Sequence, residues 1–286
     1  MNGGTESTER IALQSVSLSY GREPAVVDAL TLGVRSGEFV AIVGPNGCGK
    51  STLLRAIARL MAPASGVIVL DGRDVRDRSP RELARELGML PQNNVAPEGM
   101  RVVDLISRGR HPHRGAFARW TSEDEAAVRR AMESTGVVDL ATRDVETLSG
   151  GQRQRVWLAM ALAQDTAVLL LDEPTTYLDI AHQMDALELF RRVNRDQGRT
   201  IVAVLHDLNH AARYADRLVA LREGRVLIDG CPAALNKVEG GAWGLAMLHP
   251  AVLVRHNRAR PRIPQARGTQ PLGYHCAPPV TRLLCA

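Results

Sequence analysis

Gly44-Pro45-Asn46-Gly47-Cys48-Gly49-Lys50-Ser51 is the stretch on which the reading of this sequence turns. It follows the continuous apolar run Phe39–Val43, as a strand buried on both faces would read. It precedes Leu53, Leu54, Ile57 and Leu60, which share one face of a helix predicted from Lys50 to about Leu60, with Pro63 at the exit. Buried strand, glycine-rich turn and helix start, in that order, make an anion cradle. The turn's N–H groups converge on a negative group, and the helix N-terminus adds the positive end of its dipole. Lys50 can reach terminal phosphates, and the Ser51 hydroxyl can ligate Mg²⁺. Cys48 reads as a spacer.

Two further strings narrow the chemistry. Val168-Leu169-Leu170-Leu171-Asp172-Glu173 is a core strand that ends in adjacent carboxylates. Asp172 is placed to hold Mg²⁺ through water, and Glu173, pointing elsewhere, to polarise a water attacking a γ-phosphate. A guanine-reading Asn-Lys-x-Asp is missing, since Asn236-Lys237-Val238-Glu239 ends in the wrong acid. Leu148-Ser149-Gly150-Gly151-Gln152 sets a serine and two glycines at a helix start, a second anion-binding terminus far along the chain from the first. One nucleotide loop needs two such termini only if two copies meet, each closing the other's site.

Outward from these strings, the chain alternates between two textures. Ile11 and Leu13, then Val16, Leu18 and Tyr20, read as one strand with a slip; Leu30, Leu32 and Val34 read as a second, after a turn at Gly21–Pro24. Val67–Leu70 is a strand, residues 80–86 a short charged helix with Pro80 in its first turn, and Ile201–Leu205 another buried strand. From about Val95 to Leu148 helical spacing dominates, with Ser122 as an N-cap and Glu125 completing a capping box. A helix is expected over 180–197, and a hairpin over Arg217–Leu221, Gly224 and Val226–Ile228. The class is α/β: a mainly parallel sheet with flanking helices, an antiparallel β flank and an inserted helical block at roughly 95–155.

Charge and composition exclude several alternatives. The 286 residues carry a net charge of +5, yet from Cys231 onward Glu239 is the one acid against seven basic groups. The body before it is therefore close to neutral, which argues against a nucleic-acid-binding role. Only Lys50 and Lys237 are lysines; every other side-chain cation of fixed charge is arginine. Aliphatic runs such as Ala167–Leu171 and Ile201–Leu205 stop at five residues, against the roughly 20 a bilayer span needs. The opening MNGGTESTER lacks the basic and apolar regions of a secretory signal. Four cysteines, three of them after position 230, do not make a disulfide framework. Residues 233–286 form a basic, Pro/Arg-rich tail without sustained periodicity, expected to be poorly ordered.

Taken together, these motifs resemble the ATP-binding subunits of ABC transporters, over roughly residues 10–232. The resemblance implies a P-loop NTPase core, ATP and Mg²⁺ as ligands, and ATP hydrolysis. It implies that Tyr20 stacks on adenine, that Gly44, Pro45, Asn46, Gly47, Cys48, Gly49, Lys50, Ser51 and Thr52 hold phosphates, and that Gln92 senses Mg²⁺ and the attacking water. It further implies that Ser149, Gly150, Gly151 and Gln152 act in trans, that Asp179 couples the two sites, and that His206 contacts the γ-phosphate. Gln92-Asn93-Asn94, Arg108-Gly109-Arg110-His111-Pro112-His113, Trp157–Gln164 and Thr175–Gln183 resemble the subgroup that imports ferric siderophores, with haem and vitamin B12 importers as close kin. The two histidines at 111 and 113 lack the remaining ligands of a metal site.

The expected partners are a second copy, transmembrane permease subunits and, indirectly, a substrate-binding protein, with the chain at the cytoplasmic face of the membrane. A soluble relative acting on nucleic acid or ribosomes would show tandem nucleotide domains or long heptads, and this chain shows neither. The nucleotide-binding domain is expected over residues 8–232.

Overall fold

The computed structural model describes residues 9–92, 94–115, 118–176 and 178–232. The tail expected to be poorly ordered lies outside them, as do Asn93 and Tyr177 of the quoted strings. In chain order the described elements are β1 (Glu9–Leu18), β2 (Val27–Arg35), β3 (Phe39–Val43), α1 (Lys50–Ile57), β4 (Ser65–Leu70), β5 (Arg73–Asp74), α2 (Pro80–Glu86) and β6 (Leu87–Leu90). There follow α3 (Val102–Ser107), α4 (Ser122–Thr135), α5 (Gly150–Ala163), β7 (Val168–Asp172), α6 (Ile180–Gln197), β8 (Thr200–Val204), α7 (Leu208–Tyr214), β9 (Arg217–Arg222) and β10 (Arg225–Gly230).

Six strands form the central sheet in the order β10-β9-β3-β8-β7-β6, parallel except for the edge strand β10. All five residues of β3, β7 and β8 are buried, because helices and a second sheet cover both faces. That second sheet, β2-β1-β4-β5, is antiparallel and packs its inward residues, Ile11, Leu13, Ile68 and Leu70 among them, into the same core as Leu53, Leu54 and Ile57 of α1. The slip in β1 is a bulge: register shifts between Leu13 and Val16, Ser15 takes φ +50°, and its N–H donates to Thr31 Oγ1 at 3.0 Å.

Register is what positions the site. Ile42 of β3 and Asp172 of β7 both pair with Val204 of β8, so three strand ends lie in one row at the carboxyl edge of the sheet. One or two residues past that row come Gly44, Glu173 and His206, where open α/β sheets present their ligand crevice.

The helical block rests on a buried polar anchor. The 3₁₀ segment Arg108–His113 lies against α5 so closely that a Cβ on Gly109 would stand 2.3 Å from the Met160 carbonyl oxygen. Its Arg110, buried to 2% exposure, donates through Nε to Asp124 Oδ1 at 2.9 Å and through Nη1 to the Ala163 carbonyl at 3.0 Å. Burial alone would raise the Asp124 pKa, but Arg110 and Thr121 outweigh it and hold the carboxyl below the usual range.

Several boundaries differ from expectation. The capping box of α4 is Thr121 with Asp124, not Ser122 with Glu125. The earlier frame turns Asp124 inward to Arg110 and leaves Glu125 on the surface beside Arg129. Helix α1 stops at Ile57, because Arg59 takes φ +57° and Leu60 is left 70% exposed. Tyr20 lies two residues beyond β1 rather than in it, β4 begins at Ser65 rather than Val67, and β6 was not anticipated. Four residues including Gly88, entered directly from α2, carry too little pattern to read as a strand.

Asp124→Ala would leave Arg110 buried without its counterion, and removing one partner of a buried pair costs about 3–5 kcal/mol. Urea unfolding is expected to show a loss of that size at pH 7. Because the Asp124 pKa is lowered in the fold, the stability it contributes is present above the ordinary carboxylate pKa and disappears as pH falls through the lowered one. The gap between wild type and variant should therefore close under acid conditions.

Candidate functional site

At the carboxyl edge a cleft of about 510 Å³ is lined by Tyr20, Val26, Asn46, Gly47, Gly49, Lys50, Ser51, Thr52, Gln92, Glu173 and His206. The loop after β3 builds its floor. Gly44 takes φ +150°, and a Cβ there would stand 2.2 Å from the Leu221 carbonyl oxygen and 2.9 Å from Cys48 Sγ, so only glycine lets the loop leave the sheet at this angle. Cys48 fills the space beneath; burial pushes its thiol pKa up, with Lys50 acting in the opposite direction. Lys50 Nζ donates to the carbonyls of Gly44 and Pro45 at 2.9 and 2.8 Å, curling the ammonium into its own loop.

Asp172 is 1% exposed, and burial raises its pKa, opposed by the hydrogen bond from Ser51 and reinforced by the Glu173 charge. Ser51 Oγ donates to Asp172 Oδ1 at 2.7 Å. A hydroxyl and a buried carboxylate disfavoured as an anion are hard oxygen donors that a divalent cation such as Mg²⁺ would satisfy, so the residues fit that ion. Gln92 Nε2 donates to Glu173 Oε2 at 2.7 Å, which leaves the amide oxygen as the atom able to face a metal.

Glu173 has φ +53°, uncommon for a residue with a side chain, and its carboxylate meets partners other than those of Asp172. Three groups hold it: Gln92, His206 Nε2 at 2.6 Å from Oε1, and Thr176 Oγ1 donating to Oε2 at 3.3 Å. A carboxylate so fixed, 11% exposed and beside a phosphate-sized cradle, can accept a proton from an attacking water. Tyr20 OH lies 3.1 Å from Thr52 Oγ1, and the residue, 42% exposed, lines the cleft, where its ring can offer a stacking face.

The other sequence-predicted residues stand apart from this cleft. Ser149 caps α5: its Oγ accepts from Gln152 N at 3.3 Å, and Gln152 Oε1 accepts from Ser149 N at 3.2 Å. Ser149 and Gly150 are exposed, Gly151 and Gln152 half-buried, and none of the four lines the cleft. Asp179 caps α6, accepting from His182 N at 2.9 Å and lying 2.8 Å from His182 Nδ1, and its pKa is lowered by those contacts. It too lies outside the cleft.

Sequence reasoning missed three contributors. Val26 walls the cleft beside Tyr20 but sits in a turn with no motif. Thr176 steadies Glu173, and its place three residues after that acid was the available signal. Gln154 of α5 donates to the Pro174 carbonyl at 2.8 Å, tying the helix that begins at Ser149 to the segment just past Glu173; nothing in its spacing sets it apart from an ordinary helical glutamine.

Residues 27–176 match the ABC transporter family. The chain is 52% identical over 235 residues to the ferric enterobactin transport ATP-binding protein FepC of Escherichia coli (strain K12), covering 82% of this chain and 86% of that one. It is 46% identical over 220 residues to the iron(3+)-hydroxamate import ATP-binding protein FhuC of Bacillus subtilis (strain 168), covering 77% and 81% respectively. Among solved structures, the dimeric ATP-binding cassette MJ0796 in a post-hydrolysis state with ADP and Pi matches at a TM-score of 0.69 and 29% identity, over 78% of this chain and 98% of that one. With the phosphate cradle, the paired carboxylates and the serine-glycine helix start in this arrangement, the chain is an ATP-binding member of the ABC transporter family.

Proposed function

We propose that the chain is the ATP-hydrolysing subunit that energises import of a ferric siderophore, working as a dimer beneath transmembrane permease subunits at the cytoplasmic face of the membrane. The observation that carries the ATPase reading is the cleft in which Lys50, Ser51, Gln92, Glu173 and His206 converge. The similarity to iron-chelate transport subunits supports the cargo. The chelate itself would be handled by the permease and a substrate-binding protein. Among the described residues no helix is long and apolar enough to cross a membrane, which agrees with a subunit that works through membrane partners.

In this reading residues 8–232 are the nucleotide-binding domain, with the helical block at roughly 95–155 inserted. The N–H groups of Gly44 to Thr52 and the Lys50 ammonium cradle the phosphates of ATP, and Tyr20 stacks on adenine. Ser51, Asp172 and Gln92 are the residues that would hold Mg²⁺, which neutralises phosphate charge when bound. Glu173, kept in place by His206 and Gln92, accepts a proton as water adds to the γ-phosphorus and ADP leaves. A second copy contributes the terminus at Ser149, Gly150, Gly151 and Gln152, which meets the γ-phosphate only when the two are together. Asp179 would link the paired sites.

Each role has its own measurement. Lys50→Ala removes charge-assisted hydrogen bonds worth about 1.5–3 kcal/mol apiece, so ATP affinity read by a fluorescent analogue should fall on the order of a hundredfold. Glu173→Gln should bind ATP normally while turnover drops roughly 10²–10⁴-fold, and a nucleotide-bound dimer should accumulate in gel filtration. Ser149→Arg should bind ATP yet remain monomeric. For the cargo, a strain lacking the gene should lose uptake of radiolabelled ferric siderophore. Wild type should restore it and Glu173→Gln should not; uptake unaffected by the deletion would reject the transport assignment.

A further inference from the structure

Gln92, His206 and Thr176 hold the carboxylate of Glu173, but the backbone beneath it is the strained part. At φ +53° the chain leaves β7 in the left-handed region, where a residue with a side chain persists only if its surroundings over-determine it. Upstream the sheet does this, since Asp172 pairs with Val204. Downstream, α6 begins only at Ile180, so support for the intervening segment has to come from a neighbouring element.

That element is the start of α5. Gln154 Nε2 donates to the Pro174 carbonyl at 2.8 Å, one residue past Glu173. Pro174 is buried and Gln154 half-buried, so water competes poorly for this bond. Three residues earlier, on the same face of the helix, Gly151 meets Leu178: a Cβ at Gly151 would stand 3.5 Å from Leu178 Cδ2, an ordinary contact distance. Turn bonds brace the interval, with Thr176 N donating to Glu173 O at 3.2 Å and Leu178 N to Thr175 O at 3.3 Å. The far end of α5 is itself seated, because Ala163 O accepts from Arg110 and Gln164 donates to the Ala84 and Leu87 carbonyls. Gln154 lies outside the nucleotide cleft.

We infer that Gln154 is a positioning residue for hydrolysis, its amide holding the residue after Glu173 and so setting how that carboxylate faces the attacking water. This role rests on the ATPase reading, with Glu173 as the base. The N–H is the part that matters. A side chain of similar shape without it takes a donor from a buried carbonyl, and the strained turn relaxes as the segment shifts. A displacement of about 1 Å at a catalytic group can cost on the order of a hundredfold in rate. Phosphate binding does not use this bond, because Lys50, Ser51 and the loop N–H groups stand between β3 and the start of α1.

The test is steady-state ATP hydrolysis by the full chain carrying Gln154→Glu, which keeps the shape but offers only acceptors at neutral pH, or Gln154→Met, which has no amide. Each should lower kcat roughly ten- to a hundredfold while KM for ATP stays within about twofold of wild type. In the Glu173→Gln background either substitution should cost under about twofold more, since a side chain acting through Glu173 then has nothing left to position. The two variants differ in polarity, so a folding defect in one, read from its thermal midpoint, leaves the other to decide. Wild-type kcat in a folded variant, a raised KM with kcat intact, or a loss that persists in full in the Glu173→Gln background would overturn this role and leave the ATPase reading in place. Undiminished turnover by Glu173→Gln alone would instead remove the base, and this role with it.

Discussion

The pairing of Ile42 and Asp172 with the same residue, Val204, is the constraint from which the site follows. Parallel strands in register end together, and everything that emerges from their carboxyl ends shares a small volume. The phosphate-cradling loop lies more than a hundred residues of chain before the acidic pair and His206, yet each begins within two residues of this row. A shift of one strand by a single residue would also turn its side chains to the opposite face. Phe39–Val43, Val168–Leu171 and Ile201–Val204 are unbroken apolar runs, and every one of those positions is buried.

The helical block is built on a different principle. Part of its order comes from polar groups taken out of water: Arg110 with Asp124, and, at the far end of α5, Gln164 donating to the Ala84 and Leu87 carbonyls. Such contacts are directional where hydrophobic packing is not, so they fix how α5 leaves the core. That matters because α5, capped by Ser149 outside the cleft its own chain builds, is joined to the Glu173 segment through Gln154.

Much of this was legible in the amino-acid sequence because the decisive features are local. The loop at 44–51, the strand before it and the acids at 172–173 announce themselves through spacing and burial pattern. The bulge in β1 showed as a slip in alternation. What was not legible depended on distant partners. Whether Thr121 or Ser122 caps α4 is decided by Arg110, which selects Asp124 for burial. The short strand β6 exists because β7 offers it an edge, with Leu87 to Leu90 paired to Val168 to Leu171. Val26 carries no motif and enters the cleft only through the path of its turn.

Within the nucleotide cleft the polar groups are paired with one another. Lys50 rests on the Gly44 and Pro45 carbonyls, Ser51 on Asp172, Tyr20 on Thr52, and Glu173 between Gln92 and His206. Loading the site is thus an exchange, in which internal partners are given up for those of the guest. Net grip reflects a difference between two well-bonded arrangements, so the groups that capture a guest also ease its release. An engine that must discharge spent fuel after every stroke gains from holding it with groups that have partners of their own.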